Sequence, residues 1–291
     1  MAEPTDPVAL TEGEWLDRNR ARWDELVPLH VASEFYDNPA LRSGRGRLFH
    51  VDQSELPLVA PSGLDGLRIL HLQCHFGDDT LTLAQQGAKV VGLDFSKPAV
   101  DAARRFAAEL GLAERSRFIH SNVYDARRML PEPESFDVVY TTWGTIGWLP
   151  DVGEWARIIA WFLKPGGRLY FADGHPAALV FDNPPGDGMP VFRYPYWQDG
   201  EPDVIDEQGD YTDRDAAIEH SVTWEWAHPL SEVLTALLDA GLGIDFFHEH
   251  YAIPWQMFRQ LQPVEPGGWG WPDKKWLPLG YSLGATKPSV E

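Results

Sequence analysis

The chain has 291 residues, 44% of them hydrophobic and 23% charged, a globular balance with room for one α/β domain plus a cap, or for two small domains. Its formal charge of −20 opposes DNA or structured RNA, which require a cationic surface, and its apolar runs are too short and interrupted to cross a bilayer. A single cysteine, Cys74, precludes an intramolecular disulfide; with an acidic start that lacks the basic and apolar regions of a secretory signal, it points to a reducing cytoplasm.

Residues 11–36 carry Trp15, Trp23, Leu26, Val27, Val31 and Phe35 at helical spacing, and Pro28 predicts a break into two short helices. Arg42, Arg45 and Arg47 read first as a solvated connection and otherwise as an anchor for an acidic substrate. Pro57 and Pro61 mark a loop that separates an N-terminal helical cap, residues 1–64, from a second domain, residues 65–291. From there strand and helix alternate: strand 67–72, a helix ended by Gly87, strand 89–93, and a helix capped by Ser96 and stopped by Gly111. Strands 117–120 and 136–141 follow, then a helix at 154–163 and strand 168–172. This alternation predicts an α/β fold, doubly wound, with a mainly parallel sheet covered on both faces. Residues 177–228 break the rhythm and read as an inserted β-hairpin lid, with strands at 191–196 and 218–226 around the acidic stretch 199–215. A helix at 230–240 leads to strands 244–249 and 281–286, and residues 254–278 are too irregular to assign.

In such a sheet, ligands bind beyond the carboxyl ends of the strands, near the switch point. The loop after the first strand, Gln73-Cys74-His75-Phe76-Gly77, must let backbone approach a ligand and then open a helix whose N–H groups favour an anionic group. Asp94 closes the second strand, where a carboxylate can accept both hydroxyls of a ribose. Its bland alternative is a helix-entry residue beside Ser96. These segments, Ile69-Leu70-His71-Leu72-Gln73-Cys74-His75-Phe76-Gly77 and Val91-Gly92-Leu93-Asp94-Phe95-Ser96, resemble the first two motifs of class I, Rossmann-like S-adenosylmethionine-dependent methyltransferases of the small-molecule type. Phe136-Asp137-Val138-Val139-Tyr140 resembles the fourth-strand motif, and Leu163-Lys164-Pro165-Gly166-Gly167-Arg168-Leu169 the turn into the fifth strand. The resemblance spans about residues 65–175 and implies seven strands with the last antiparallel.

The resemblance also implies S-adenosylmethionine as cofactor, held by Gln73, His75, Gly77, Asp94, Phe95, Asn122, Val123, Thr142 and Trp143. Asn122 would meet the adenine amino group through its amide oxygen, and Thr142 and Trp143 would lie beside the sulfonium or methionine portion. The first motif departs from the family, with His71 where an acidic residue is usual and Gln73 and His75 where glycines are usual. Gln73 or His75 could then contact the methionine portion, or His75 could merely fill space, as His71 and Cys74 are expected to do.

At the end of the fifth strand, His175 is a candidate general base and Asp173 its orienter or an alternative base; equally, both could satisfy backbone groups in a turn. His248, Glu249 and His250 make a poor metal site, because alternate strand residues face opposite sides, so no metal is expected. An aromatic-walled pocket built from His30, Tyr36, Trp148, Tyr196 and Trp224 would take a small, partly apolar metabolite. The expected activity is methyl transfer to that metabolite by a monomer or homodimer, with no nucleic-acid or membrane partner. The competing readings are a catalytically silent cofactor-binding regulator and an NAD(P)-dependent oxidoreductase, the latter opposed by Gln73 and His75 where glycines would be wanted.

Overall fold

Leu70, Leu72, Val139, Leu169 and Phe171 are all buried, because strands covered by helices on both faces need apolar side chains in both directions. The computed structural model describes residues 10–183, 188–198 and 200–289; residues 1–9 of the acidic start, and 184–187 and 199 of the insertion, lie outside the described residues. Five parallel strands, β1 (Arg68–Leu72), β2 (Lys89–Asp94), β3 (Ser116–His120), β4 (Phe136–Thr142) and β5 (Leu163–Gly174), pair with β10 (Gly243–His250) and β14 (Gly280–Thr286) in the order β3-β2-β1-β4-β5-β14-β10. β14 runs antiparallel to both of its neighbours. The sheet is the seven-stranded, mainly parallel one expected, and its order reverses between β1 and β4.

Helices α4 (Asp78–Gln85), α5 (Lys97–Glu109), α7 (Val152–Phe162) and α9 (Leu230–Asp239) cover the faces. Ser96 caps α5 by accepting from Ala99 N, and its apolar stripe of Val100, Ala103, Phe106 and Ala107 lies buried. Gly77 precedes α4 with φ 81°, and a Cβ there would stand 2.7 Å from the Phe118 ring, so the turn out of β1 needs glycine on both counts. Among the described residues, no helix is long and apolar enough to cross a membrane.

The N-terminal part departs from expectation. α1 runs unbroken from Glu14 to Ala32 with Pro28 inside it. The proline deletes one backbone bond near the end of the helix, while buried Leu26, Val27 and His30 hold the turns on either side. Short α2 (Asn38–Arg42) and α3 (His50–Val59) follow, α3 packing on β5.

The insertion also differs, because strands 191–196 and 218–226 do not pair with each other. β7 (Val191–Phe192) pairs with β6 (Phe181–Asp182), which follows short helix α8 (Pro176–Leu179), and β9 (Val222–Glu225) pairs with β8 (Asp203–Asp206) from inside the acidic stretch. Alternation within a strand signals a face but not a partner. Residues left unassigned by sequence hold a small sheet, β11 (Ala252–Ile253), β13 (Trp269–Gly270) and β12 (Gln262–Pro263).

One face of α1 grips the backbone of the β8–β9 hairpin. Asn19 Nδ2 donates to Trp224 O at 2.8 Å while Asn19 Oδ1 accepts from Trp224 N at 2.8 Å. Arg22 donates to the carbonyls of Glu207 and Gly209, each at 2.9 Å. Glu25 accepts from the N–H groups of Glu219 and His220 at 2.7 and 2.8 Å. The three recur every third residue on one side of α1, and Asn19 and Arg22 are buried.

Candidate functional site

The carboxyl ends of β1, β2, β3 and β4 open into a cavity of about 620 Å³, at the reversal in strand order where such sheets bind ligands. The loop from β1 enters it in an unusual conformation. Gln73 and His75 both adopt left-handed backbone, with φ 55° and 51°, which glycine would accept without strain. Asp94, at the tip of β2, clamps that loop: Oδ2 accepts from His75 N at 2.7 Å, and Oδ1 from Ser96 N at 2.8 Å. Burial pushes its carboxyl up to about 6. Gln73 Nε2 donates to Thr145 O at 2.7 Å, leaving Oε1 buried without a partner, and His75 Nδ1 is likewise unpartnered. Asp78 and Asp79, in the first turn of α4, also line the cavity. Burial raises Asp78 to about 6 and drives Asp79 well above the usual carboxylate range, with further pressure on Asp79 from Asp78 and Asp52.

A second wall descends from β4 and β5. Asp173 accepts from Gly144 N at 2.6 Å, Thr145 N at 2.9 Å, Ile146 N at 3.1 Å, and the Thr145 hydroxyl at 3.1 Å. It thereby folds residues 144–146 into the cavity rim, and Trp148 closes the turn by donating Nε1 to Gly144 O at 2.7 Å. Trp143 stands at φ 55°, its indole N–H donating 2.7 Å to Asp52 Oδ2 from α3. Asp52 also accepts from the Tyr170 hydroxyl, and burial pushes its carboxyl to about 7.

Of the residues singled out in sequence, Gln73, His75, Asp94, Phe95, Asn122, Val123, Thr142, Trp143, Trp148, Tyr36 and Asp173 line this one cavity. Asn122 is already engaged there, Nδ2 donating to Leu10 O and Oδ1 accepting from Tyr124 N, which leaves its amide oxygen one lone pair. Gly77 stands behind the wall, against Phe118 and Ala103. His71 bonds Thr80, and burial lowers it to about 3; Cys74 is buried, which raises its thiol well above the ordinary value. Both stay neutral, yet both belong to the cavity lining, where space-filling alone was expected.

Five expectations are corrected by the geometry. His175 lies outside the lining: Nδ1 accepts from Ala177 N at 3.1 Å as the cap of α8, so Nε2 carries the proton toward Glu249 Oε1 at 3.1 Å. No nitrogen is left to act as a base. Asp173 neither orients His175 nor offers a spare basic atom, because its lone pairs serve the 144–146 turn. Trp224 is outside the lining and packs against the core, while its chain neighbours Glu225 and Trp226 line the cavity. Tyr196 packs on Trp197, with its hydroxyl toward Leu230 N. His30 is buried behind His75 rather than exposed to a ligand. His248 and His250 do face one way, toward Glu55, and Glu249 the other, toward His175.

Sequence reasoning missed Asp78, Asp79, Glu225, Phe49, Tyr211 and Trp255 in the lining. The adjacent acids directly after Gly77 were the one available signal.

Residues 69–167 match a family described as a methyltransferase domain. The ubiquinone biosynthesis O-methyltransferase of Ralstonia nicotianae is 33% identical over 129 residues, which are 44% of this chain and 50% of that protein. The chain thus spans about half the length of the curated relatives it matches. The solved S-adenosylmethionine-dependent methyltransferase of Mesorhizobium loti superposes with a TM-score of 0.53 at 21% identity, covering 80% of this chain and 97% of that one. The cyclase SpnF gives 0.57 at 18% identity, covering 96% and 99%. At these identities the likeness shows the fold alone.

Proposed function

We propose, from the premise that residues 69–167 are a class I methyltransferase domain, that the chain binds S-adenosylmethionine and transfers its methyl group to a small, partly apolar metabolite. The observation that carries this reading is the convergence of Asp94, Asn122–Val123 and Thr142–Trp143, from the ends of β2, β3 and β4, on one cavity. The residues fit the cofactor. Each Asp94 oxygen keeps a lone pair after its backbone bond, enough for two ribose hydroxyls. Gln73 Oε1 and the ring nitrogen His75 Nδ1 are buried without partners. Asp78, Asp79 and Asp94, against Arg47 as the one Lys or Arg in the lining among the described residues, suit a ligand bearing a sulfonium and an ammonium.

When bound, S-adenosylmethionine supplies an electrophilic methyl group. The chain itself has to hold the acceptor in line and exclude water. Asp173 and Trp148 set the 144–146 rim, and Asp52 fixes the Trp143 ring, whose face attracts cationic charge. Phe49, Trp143, Trp255 and Leu179 wall the remaining part of the cavity with apolar surface, which suits an aromatic or otherwise apolar acceptor.

Calorimetric titration with S-adenosylmethionine tests the reading. The expected result is saturable binding, weakened about 10- to 100-fold by Asp94→Ala through loss of charge-assisted hydrogen bonds. Binding of NAD with none of S-adenosylmethionine would overturn it.

A further inference from the structure

His75, His30 and Asp210 stand in a row. They come from the β1 loop, α1 and the β8–β9 connection. His30 Nδ1 lies 3.2 Å from His75 Nε2, and His30 Nε2 lies 2.9 Å from Asp210 Oδ1. The His30 and Asp210 side chains are 0% and 4% exposed, so each polar atom must find its partner inside the protein. Tyr211 adds its hydroxyl 3.5 Å from His30 Nδ1 and bonds the hydroxyl of Tyr36.

The order of these groups bears on where the protons sit. Burial pushes the Asp210 carboxyl up, but its bonds from His30 and Thr212 hold it below the usual carboxylate range, so it acts only as an acceptor. The proton between the pair therefore sits on His30 Nε2. The lock proposed below takes His30 with a single proton, at Nε2; its Nδ1, 3.2 Å from His75 Nε2, then accepts from His75 Nε2–H. The remaining His75 nitrogen, Nδ1, is then the acceptor; it is buried without a partner, and His75 is among the residues that line the cavity. Burial, with His30 beside it, holds His75 well below its ordinary range despite the pull of Asp210, so the ring stays neutral.

We infer that Asp210 and His30 form a tautomer lock, which keeps His75 Nδ1 as a hydrogen-bond acceptor for a donor group of the ligand in the cavity. Asp210 and His30 are positioning residues, and His75 is the residue that meets the ligand. The lock rests on the cofactor reading only for the identity of that ligand. It explains why a histidine stands where a glycine would sit without strain: the left-handed backbone at His75 is held by Asp94 on one side and by the lock on the other. It also makes the insertion, through Asp210, a contributor to the cofactor loop.

The test combines nitrogen-15 NMR of histidine-labelled protein with calorimetric binding of S-adenosylhomocysteine. In the wild type, His75 and His30 should both show the Nε2–H tautomer with bare Nδ1. Asp210→Asn should mix the tautomers and weaken S-adenosylhomocysteine about 10-fold, the scale of one hydrogen bond to a charged donor. His30→Leu should do the same. His30→Gln should restore most of the affinity, because its amide can donate toward Asp210 while its carbonyl accepts from His75. A protonated Nδ1 on His75 in the wild type overturns the lock, as does unchanged affinity in both Asp210→Asn and His30→Leu. Failure of the wild type to bind S-adenosylhomocysteine would instead overturn the cofactor reading, while the tautomers alone still decide the lock.

Discussion

Asp94 and Asp173 are aspartates at the carboxyl ends of β2 and β5 in one site, yet their surroundings give them different work. Asp94 meets two backbone donors and keeps capacity for a ligand; Asp173 is saturated by the 144–146 turn. His175 is likewise spent, as cap to α8 and donor to Glu249. His175→Ala should therefore cost about 1 kcal/mol of stability, as for a lost helix cap, with the rate of methyl transfer unchanged. Thermal unfolding and single-turnover transfer read the two effects, and a slowed transfer at unchanged stability would return His175 to the site. At this scale sequence was informative where a strand end fixes a side chain, as at Asp94 and Thr142. It was silent where the partner lies far along the chain: Trp143 with Asp52, or His30 with Asp210. Strand-end chemistry also overstated His175, because a histidine that follows Gly174 can serve its own turn.

The elements of the sheet were legible because apolar runs, Ser96 and Gly77 carry local physics. The cap and insertion were not, and α1 shows why. Its stripe of Asn19, Arg22 and Glu25 has the composition of a solvated face, but the unpaired edge of the β8–β9 hairpin supplies backbone donors and acceptors to match it. The pairing of β9 with β8 instead of with residues 191–196 was equally hidden, since both candidate partners alternate. Arg22 is the centre of the grip. Arg22→Ala leaves the carbonyls of Glu207 and Gly209 without their donor and should destabilise the protein by about 2–3 kcal/mol. Hydrogen exchange should quicken first across β8 and β9, while β1 and β4 keep their protection. Uniform acceleration through the sheet would show that the hairpin is not a separate unit.

Across the whole molecule, the excess of acid is partly a feature of the cavity. Asp78 and Asp94 in its lining are raised to about 6 and Glu225 to about 7, each chiefly by burial. A raised carboxyl keeps its proton in the folded state after the unfolded chain has released it. Its contribution to stability is therefore greatest below the unfolded value and is lost as pH rises through the folded one. His71, lowered to about 3, acts oppositely, but only up to the ordinary histidine value near 6.5. From about pH 6.5 to 8 the acids alone act, so the melting temperature of the unliganded protein should fall over that range. A cationic ligand relieves the same carboxylates. S-adenosylmethionine should consequently release protons on binding near pH 6, seen as a calorimetric enthalpy that changes with the ionisation enthalpy of the buffer. Buffer-independent enthalpy would separate these acids from the ligand. The net charge of −20 excluded polyanionic partners but could not locate this cluster, because its members are dispersed in sequence and meet only at strand ends and the first turn of α4.

The grip of α1 on the β8–β9 hairpin has an evolutionary corollary. It is made almost wholly to main-chain atoms, so it is indifferent to which side chains the hairpin carries. Glu225, which lines the cavity, can drift without loosening that grip, whereas Trp226 also packs on Trp15 in the core. At Glu225 selectivity is thereby uncoupled from folding, and this position is where a lineage, or a randomised library, can explore new acceptors on an unchanged scaffold.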